Sequence, residues 1–222
     1  MKLTNKHIPL ALQLYRGHIT SELCSFKDFI NKSGKNIILI QNKFEKLYNS
    51  EIKSSDVSAD KPNDDYWNYE YYKVHEIFPS FYRQSTFIGL YSFFETRLRS
   101  LCENMQRIKE YKIKISDING ETYIEQSKKY LKLVVGIDTK DLNSHWAKIT
   151  GYRKIRNCLV HNNGHINKQQ YWQGIIQRIT HIELISNRIN IVDDIFLLDF
   201  IEIITEYIKV ILDKINNEIA FE

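Results

Sequence analysis

A mainly helical fold is predicted by three observations. Apolar residues recur every three or four positions along most of the chain, glycine and proline are scarce at 8 and 3, and one short segment alone carries β-type residues in two runs. With 222 residues, 43% of them hydrophobic and 26% charged, the chain is long enough to bury a core by packing alone.

In chain order, Ile8, Leu12, Tyr15, Ile19, Leu23, Phe26 and Ile30 fall on one helical face. Ser33-Gly34 is expected to end that helix, and Ile37, Ile40, Phe44 and Leu47 to mark a second. The polar stretch "NSEIKSSDVSADKPNDD" then reads as a loop. It divides an N-terminal helical extension, residues 1–60, from a main helical domain, residues 66–222, unless the two are one continuous domain.

Pro79 is expected to break or kink the aromatic segment that follows, with Ser80 capping the next helix. In that helix Phe87, Leu90, Tyr91, Phe94, Leu98 and Leu101 form an apolar stripe, and Glu95 sits at its edge. A carboxylate so placed borders buried surface and can reach a neighbouring helix. After a turn at Asn119-Gly120, "ETYIEQSKKYLKLVV" predicts a short amphipathic helix, and "DLNSHWAKITGYRKIRNCLVHNN" another that stops at Gly164. "ITHIEL" and "INIV", on either side of Ser186-Asn187-Arg188, predict a small hairpin. A long amphipathic helix from Asp194 to Ile219 closes the chain, with Ile195, Leu198, Ile201, Ile204, Ile208, Ile211 and Ile215 on one face.

Several classes of function fall away. Cys24, Cys102 and Cys158 are odd in number and show no CxxC spacing, so neither a disulfide framework nor a zinc knuckle is indicated, and a cytoplasmic location is expected. "IPLALQLY" contains Gln13 and lacks a cleavage site, which reads as folded helix. The final apolar segment is interrupted by Asp199, Glu202, Glu206 and Lys209, so no membrane span is expected. A net charge of +4 is compatible with a polyanionic partner without requiring one.

The segment Tyr152 to Gly164, "YRKIRNCLVHNNG", carries the strongest clue. Arg156 and His161, five positions apart, lie about 140° apart on an ideal helix. They can converge on one anion if the helix ends near the histidine, and Asn162-Asn163-Gly164 supply that ending. Free carbonyls of the last turn favour a protonated imidazole at His161, while Arg156 stays on the rigid part of the helix. Plainer readings stand beside this one. Arg156 and Glu95 could form an interhelix ion pair without chemistry, His161 could cap the helix, and Asn157 could be a surface residue. Cys158 reads as a small core hydrophobe before it reads as a nucleophile paired with His161. His161 and His165 have zinc-ligand spacing but no acidic or thiol cluster beside them, and no metal or cofactor is expected. The aromatic run "DYWNYEYY" could stack on RNA bases, though core or dimer packing is the safer reading.

Arg156-Asn157-x-x-x-His161, the upstream "LYSFFETRL" helix with Glu95, and Trp146 leading into "ITGYRKIRN" together resemble the HEPN superfamily. Its RNase members carry an arginine, a polar residue directly after it, and a histidine separated from the arginine by four to six residues; the likeness spans roughly residues 80–164. It implies a helical bundle of HEPN type and a metal-independent endoribonuclease, a homodimer with a composite active site between two facing motifs. His161 would serve as general base or acid, an imidazole of ordinary pKa about 6.5 being able to do both. Arg156 would hold the scissile phosphate, Asn157 would position groups by hydrogen bonds, and Glu95 would orient Arg156 or His161, kept ionised by a nearby cation. The resemblance also implies an RNA substrate and a toxic effector with an antitoxin or defence-system partner. The competing expectation is a catalytically inactive HEPN-like dimeric module that binds nucleic acid, nucleotide or protein.

Overall fold

The computed structural model describes residues 8–54, 64–167 and 169–221. It is mainly helical, with seven α-helices and one two-stranded antiparallel hairpin among these residues: α1 (Ile8–Ser54), α2 (Asp64–Tyr72), α3 (Phe78–Lys109), α4 (Tyr123–Leu133), α5 (Asn143–Asn162), α6 (Gln169–Ile176), β1 (Ile182–Ile185), β2 (Arg188–Ile191) and α7 (Ile195–Phe221). No described helix is long and apolar enough to cross a membrane.

The centre of the bundle is aromatic. Phe87, Tyr91 and Phe94 of α3, Tyr152 of α5, and Phe196, Phe200 and Tyr207 of α7 are all buried. Phe200 stands among them, its ring centroid 4.7 Å from that of Tyr152, 5.5 Å from Phe87 and 5.6 Å from Tyr91. The apolar stripes of three helices thus meet in stacked, tilted and edge-to-face ring pairs at the distances such rings prefer. Around this centre α1 packs on α7 and α3, and α4 packs on α3. The predicted face of α1 supplies Leu12, Ile19, Leu23 and Ile30 to the same core.

Three local expectations are corrected. The first helix does not end at Ser33-Gly34; α1 runs on for 47 residues. Gly34 is there for close approach, because a Cβ at that position would collide with the Asp194 carboxylate, which Arg83 Nε holds at 3.0 Å. A glycine in a helix interior costs about 1 kcal/mol relative to alanine, and the packing around it offsets that. Beyond Gly34 the second stripe is only partly buried: Phe44 is covered, while Ile40 and Leu47 are exposed. Of the predicted loop, residues 49–54 belong to α1 and 64–65 to α2, and residues 55–63 lie outside the described residues.

Pro79 does not break the chain into separate helices. A π-helical turn, Lys73–Ile77, joins α2 to α3, and Pro79 occupies the first turn of α3. A proline lacks the N–H that would bond four residues back and its ring crowds that carbonyl, here His75. The wider π turn passes through that carbonyl's position, so no Ser80 cap is needed, and Ser80 Oγ instead accepts from Gln84 Nε2 at 2.9 Å.

The hairpin is shorter at its turn than expected. Arg188 is already in β2, opposite Ile185, and the turn is Ser186-Asn187, both with positive φ of 49° and 61°. Such a two-residue turn matches the twist of its strands. The hairpin also holds the end of α5. Asn163 and Gly164 both have positive φ, 49° and 79°, and end that helix, the Gly164 N–H reaching back to the Cys158 carbonyl at 3.0 Å. Arg188 Nε then donates to the Asn163 carbonyl at 2.9 Å, and the Ile189 N–H to that of Gly164 at 2.9 Å.

Candidate functional site

Glu95, Arg156, Asn157 and His161 all line one open cavity of about 470 Å³, together with Arg153 and the segment from Gly120 to Gln126. The helix does not loosen before His161, which lies in a regular last turn. Convergence comes from helical phase. Taking Arg153 as zero, Arg156 lies at about −60°, Asn157 at about +40° and His161 at about +80° on an ideal helix. The arginine and the histidine therefore flank a stripe whose middle is Arg153 and Asn157, and the cavity spans that whole stripe.

Arg156 lines the cavity and lies over the ring of buried Tyr91. Its guanidinium carbon lies 5.9 Å from the Tyr91 ring centroid, and its Nη1 donates to Asn157 Oδ1 at 3.1 Å. Asn157 thus positions the arginine directly. Arg156 Nε is buried without a partner, and so is the Tyr91 hydroxyl beneath it. Orphaned buried polar atoms are rare in native proteins and cost free energy; here one belongs to Arg156 and the other to the ring beneath it.

Glu95, one turn beyond Tyr91 on α3, is half-buried and forms no ion pair with Arg156 among the described residues. The two arginines, Arg156 and Arg153, pull its carboxyl towards ionisation, but burial outweighs them and raises its pKa above the ordinary glutamate value. The simple interhelix pair expected as an alternative falls instead to Arg153, whose Nη1 contacts Glu125 Oε1 at 2.5 Å and Thr122 Oγ1 at 3.1 Å.

His161 is exposed at the mouth of the cavity. It does not close the helix, since Asn163 and Gly164 do that. Cys158 points away into the core: it is 3% exposed, its thiol donates to the His165 carbonyl at 3.2 Å, and burial raises its pKa. That environment opposes thiolate formation and a Cys158–His161 nucleophilic pair. No group of three or more His, Cys, Asp or Glu side chains able to hold a metal occurs among the described residues.

Arg153, Thr122, Tyr123, Glu125 and Gln126 were not singled out from the sequence. Arg153 had a signal, its i,i+3 relation to Arg156, and Thr122-x-x-Glu125 has the spacing of a capping box. In the fold Thr122 accepts from the Glu125 N–H at 3.4 Å, and the Glu125 carboxylate turns to Arg153 instead of back to the cap.

Neither protein-family models, nor curated proteins, nor solved structures give a match to this chain.

Proposed function

We propose that this protein is a metal-independent endoribonuclease of HEPN type, acting in the cytoplasm as the toxic effector of a toxin–antitoxin or anti-phage defence system. The observation that carries the reading is the gathering of Glu95, Arg156, Asn157 and His161 around one cavity. An arginine braced by an aromatic ring and an asparagine, with a solvent-facing imidazole beside it, suits a phosphodiester better than an apolar ligand.

The reaction is attack of an RNA 2′-oxygen on the adjacent phosphorus. His161 takes the 2′-hydroxyl proton, the new P–O bond closes a 2′,3′-cyclic phosphate, and the P–O5′ bond breaks. The departing 5′-oxygen receives a proton from an imidazolium, supplied by the second His161 of a homodimer with a composite cleft. Arg156 holds the non-bridging oxygens as charge develops on them, and Asn157 fixes the guanidinium in place. Glu95 is the positioning carboxylate. Burial raises its pKa, while Arg156 and Arg153 favour its ionised form.

The test is incubation of purified protein with total RNA in excess EDTA, beside Arg156→Ala and His161→Ala proteins matched for folding and mass. Cleavage by the wild type alone, leaving 2′,3′-cyclic phosphate ends, supports the reading. A folded wild-type protein that leaves RNA intact overturns it in favour of an inactive dimeric module.

A further inference from the structure

The first turn of α4 lines the same cavity as Arg156, and it is built differently from a loop that merely happens to border a cleft. Tyr123 begins that helix and is 57% exposed. Its ring is braced by the Arg99 guanidinium, 5.3 Å from the centroid, and Arg99 Nε is itself held by Glu103 at 3.0 Å. The turn that carries the ring is tied on both sides. Thr122 and Glu125, which flank Tyr123, both take contacts from Arg153 of α5, the helix that carries Arg156. Gly120 presses the preceding loop onto the same turn; a Cβ there would lie 2.9 Å from the Gln126 backbone nitrogen. The aromatic rim and the arginine therefore belong to one rigid unit.

Three positions after Tyr123, and so on the same face of α4, stands Gln126. Gln126 lines the cavity, and its side-chain amide has no hydrogen-bond partner among the described residues. An exposed ring beside an unengaged donor–acceptor amide is the chemistry that receives an unpaired nucleobase: the ring stacks on its face and the amide pairs with its edge. A base within a duplex offers no open face for such stacking.

We infer that Tyr123 and Gln126 form a nucleobase subsite, which seats an unpaired base of the nucleotide next to the scissile phosphate. The role of that phosphate rests on the ribonuclease reading; the subsite itself is a binding claim and is tested without cleavage.

The probe is a single-stranded 2′-O-methyl RNA oligonucleotide carrying one 2-aminopurine, which lacks the attacking hydroxyl and reports stacking by loss of fluorescence. Wild-type protein is expected to bind and quench it. Tyr123→Ala is expected to lose the quench and bind about tenfold to a hundredfold more weakly, the range for one lost base stack, while Tyr123→Phe keeps both. Gln126→Ala is expected to retain the quench and lose preference among oligonucleotides differing at the reporting base. A folded wild-type protein that does not bind the oligonucleotide, or a Tyr123→Ala protein that binds and quenches like wild type, overturns the subsite. If the subsite behaves as expected but total RNA stays intact, the ribonuclease reading fails and the subsite stands. If RNA is cleaved and Tyr123→Ala cleaves equally well, the reverse holds.

Discussion

The Arg156 guanidinium lies over the ring of Tyr91, 5.9 Å from its centroid, and Tyr91 in turn stacks on Phe200 at 5.6 Å with the rings 10° from parallel. A residue of the candidate site is thereby seated on the aromatic centre of the bundle. Burying a cation against a ring contributes about 0.5–2 kcal/mol, and it fixes the plane in which the guanidinium meets a ligand.

From this seat comes a prediction that separates ring from hydroxyl. Tyr91→Phe removes a buried hydroxyl without a partner and keeps the ring, so stability should be unchanged or higher by up to about 1 kcal/mol. Tyr91→Leu loses the ring contacts and should cost about 1–3 kcal/mol. Urea denaturation of the two variants checks this, and a larger loss for the phenylalanine would show that the hydroxyl is bonded in solution.

Glu95→Gln should gain stability relative to the wild type as pH rises. Burial raises the folded-state pKa of Glu95, so the folded protein holds this proton to higher pH than the unfolded chain does. Stability is then lost as pH increases through the interval from the ordinary glutamate range to the raised value, and stays lower above it. Glutamine removes that dependence. Melting curves should coincide for the two proteins below the ordinary glutamate range and separate above it, with the variant the more stable.

Arg153→Ala is expected to destabilise the join between α4 and α5 by about 1–3 kcal/mol, because it leaves Glu125 and Thr122 without their shared donor. Lysine should rescue little of this, having no planar fork to serve both oxygens. Chemical denaturation measures the loss, and full rescue by lysine would reduce the contact to charge alone.

Elements whose information is local were readable in the sequence. The stripes of α3 and α7, the hairpin, and the helix that carries Arg156 and His161 follow from periodicity and turn residues alone. The edge position of Glu95 on α3 was readable for the same reason, and it does line the cavity with the motif. What was not readable depends on partners remote in sequence. Gly34 looks like a helix stop until Asp194 is seen beside it. Pro79 looks like a break until the π turn absorbs it. Thr122 and Glu125 look like an isolated cap until Arg153 arrives from another helix, and the exposure of Tyr123 is a property of the folded surface alone.

The outer part of α1 offers a last test, because α2 is held there by a small aromatic cluster of its own. Phe44 is 8% exposed, and its ring centroid lies 6.0 Å from Tyr48, 5.8 Å from Trp67, 6.1 Å from Tyr71 and 6.0 Å from His75. Around it, Tyr66, Tyr69, Tyr71 and Tyr72 are exposed, so few other apolar contacts hold α2 in place. Truncating a buried phenylalanine costs about 3–5 kcal/mol where the whole fold feels it. In a region with this little burial the loss should appear as local opening. Phe44→Ala should therefore speed hydrogen exchange across α2 and the π turn by several orders of magnitude at most, while amides around Phe87 to Leu101 exchange as in the wild type. Acceleration spread evenly over α3 and α7 would instead mean that the aromatic cluster and the bundle core unfold as one unit.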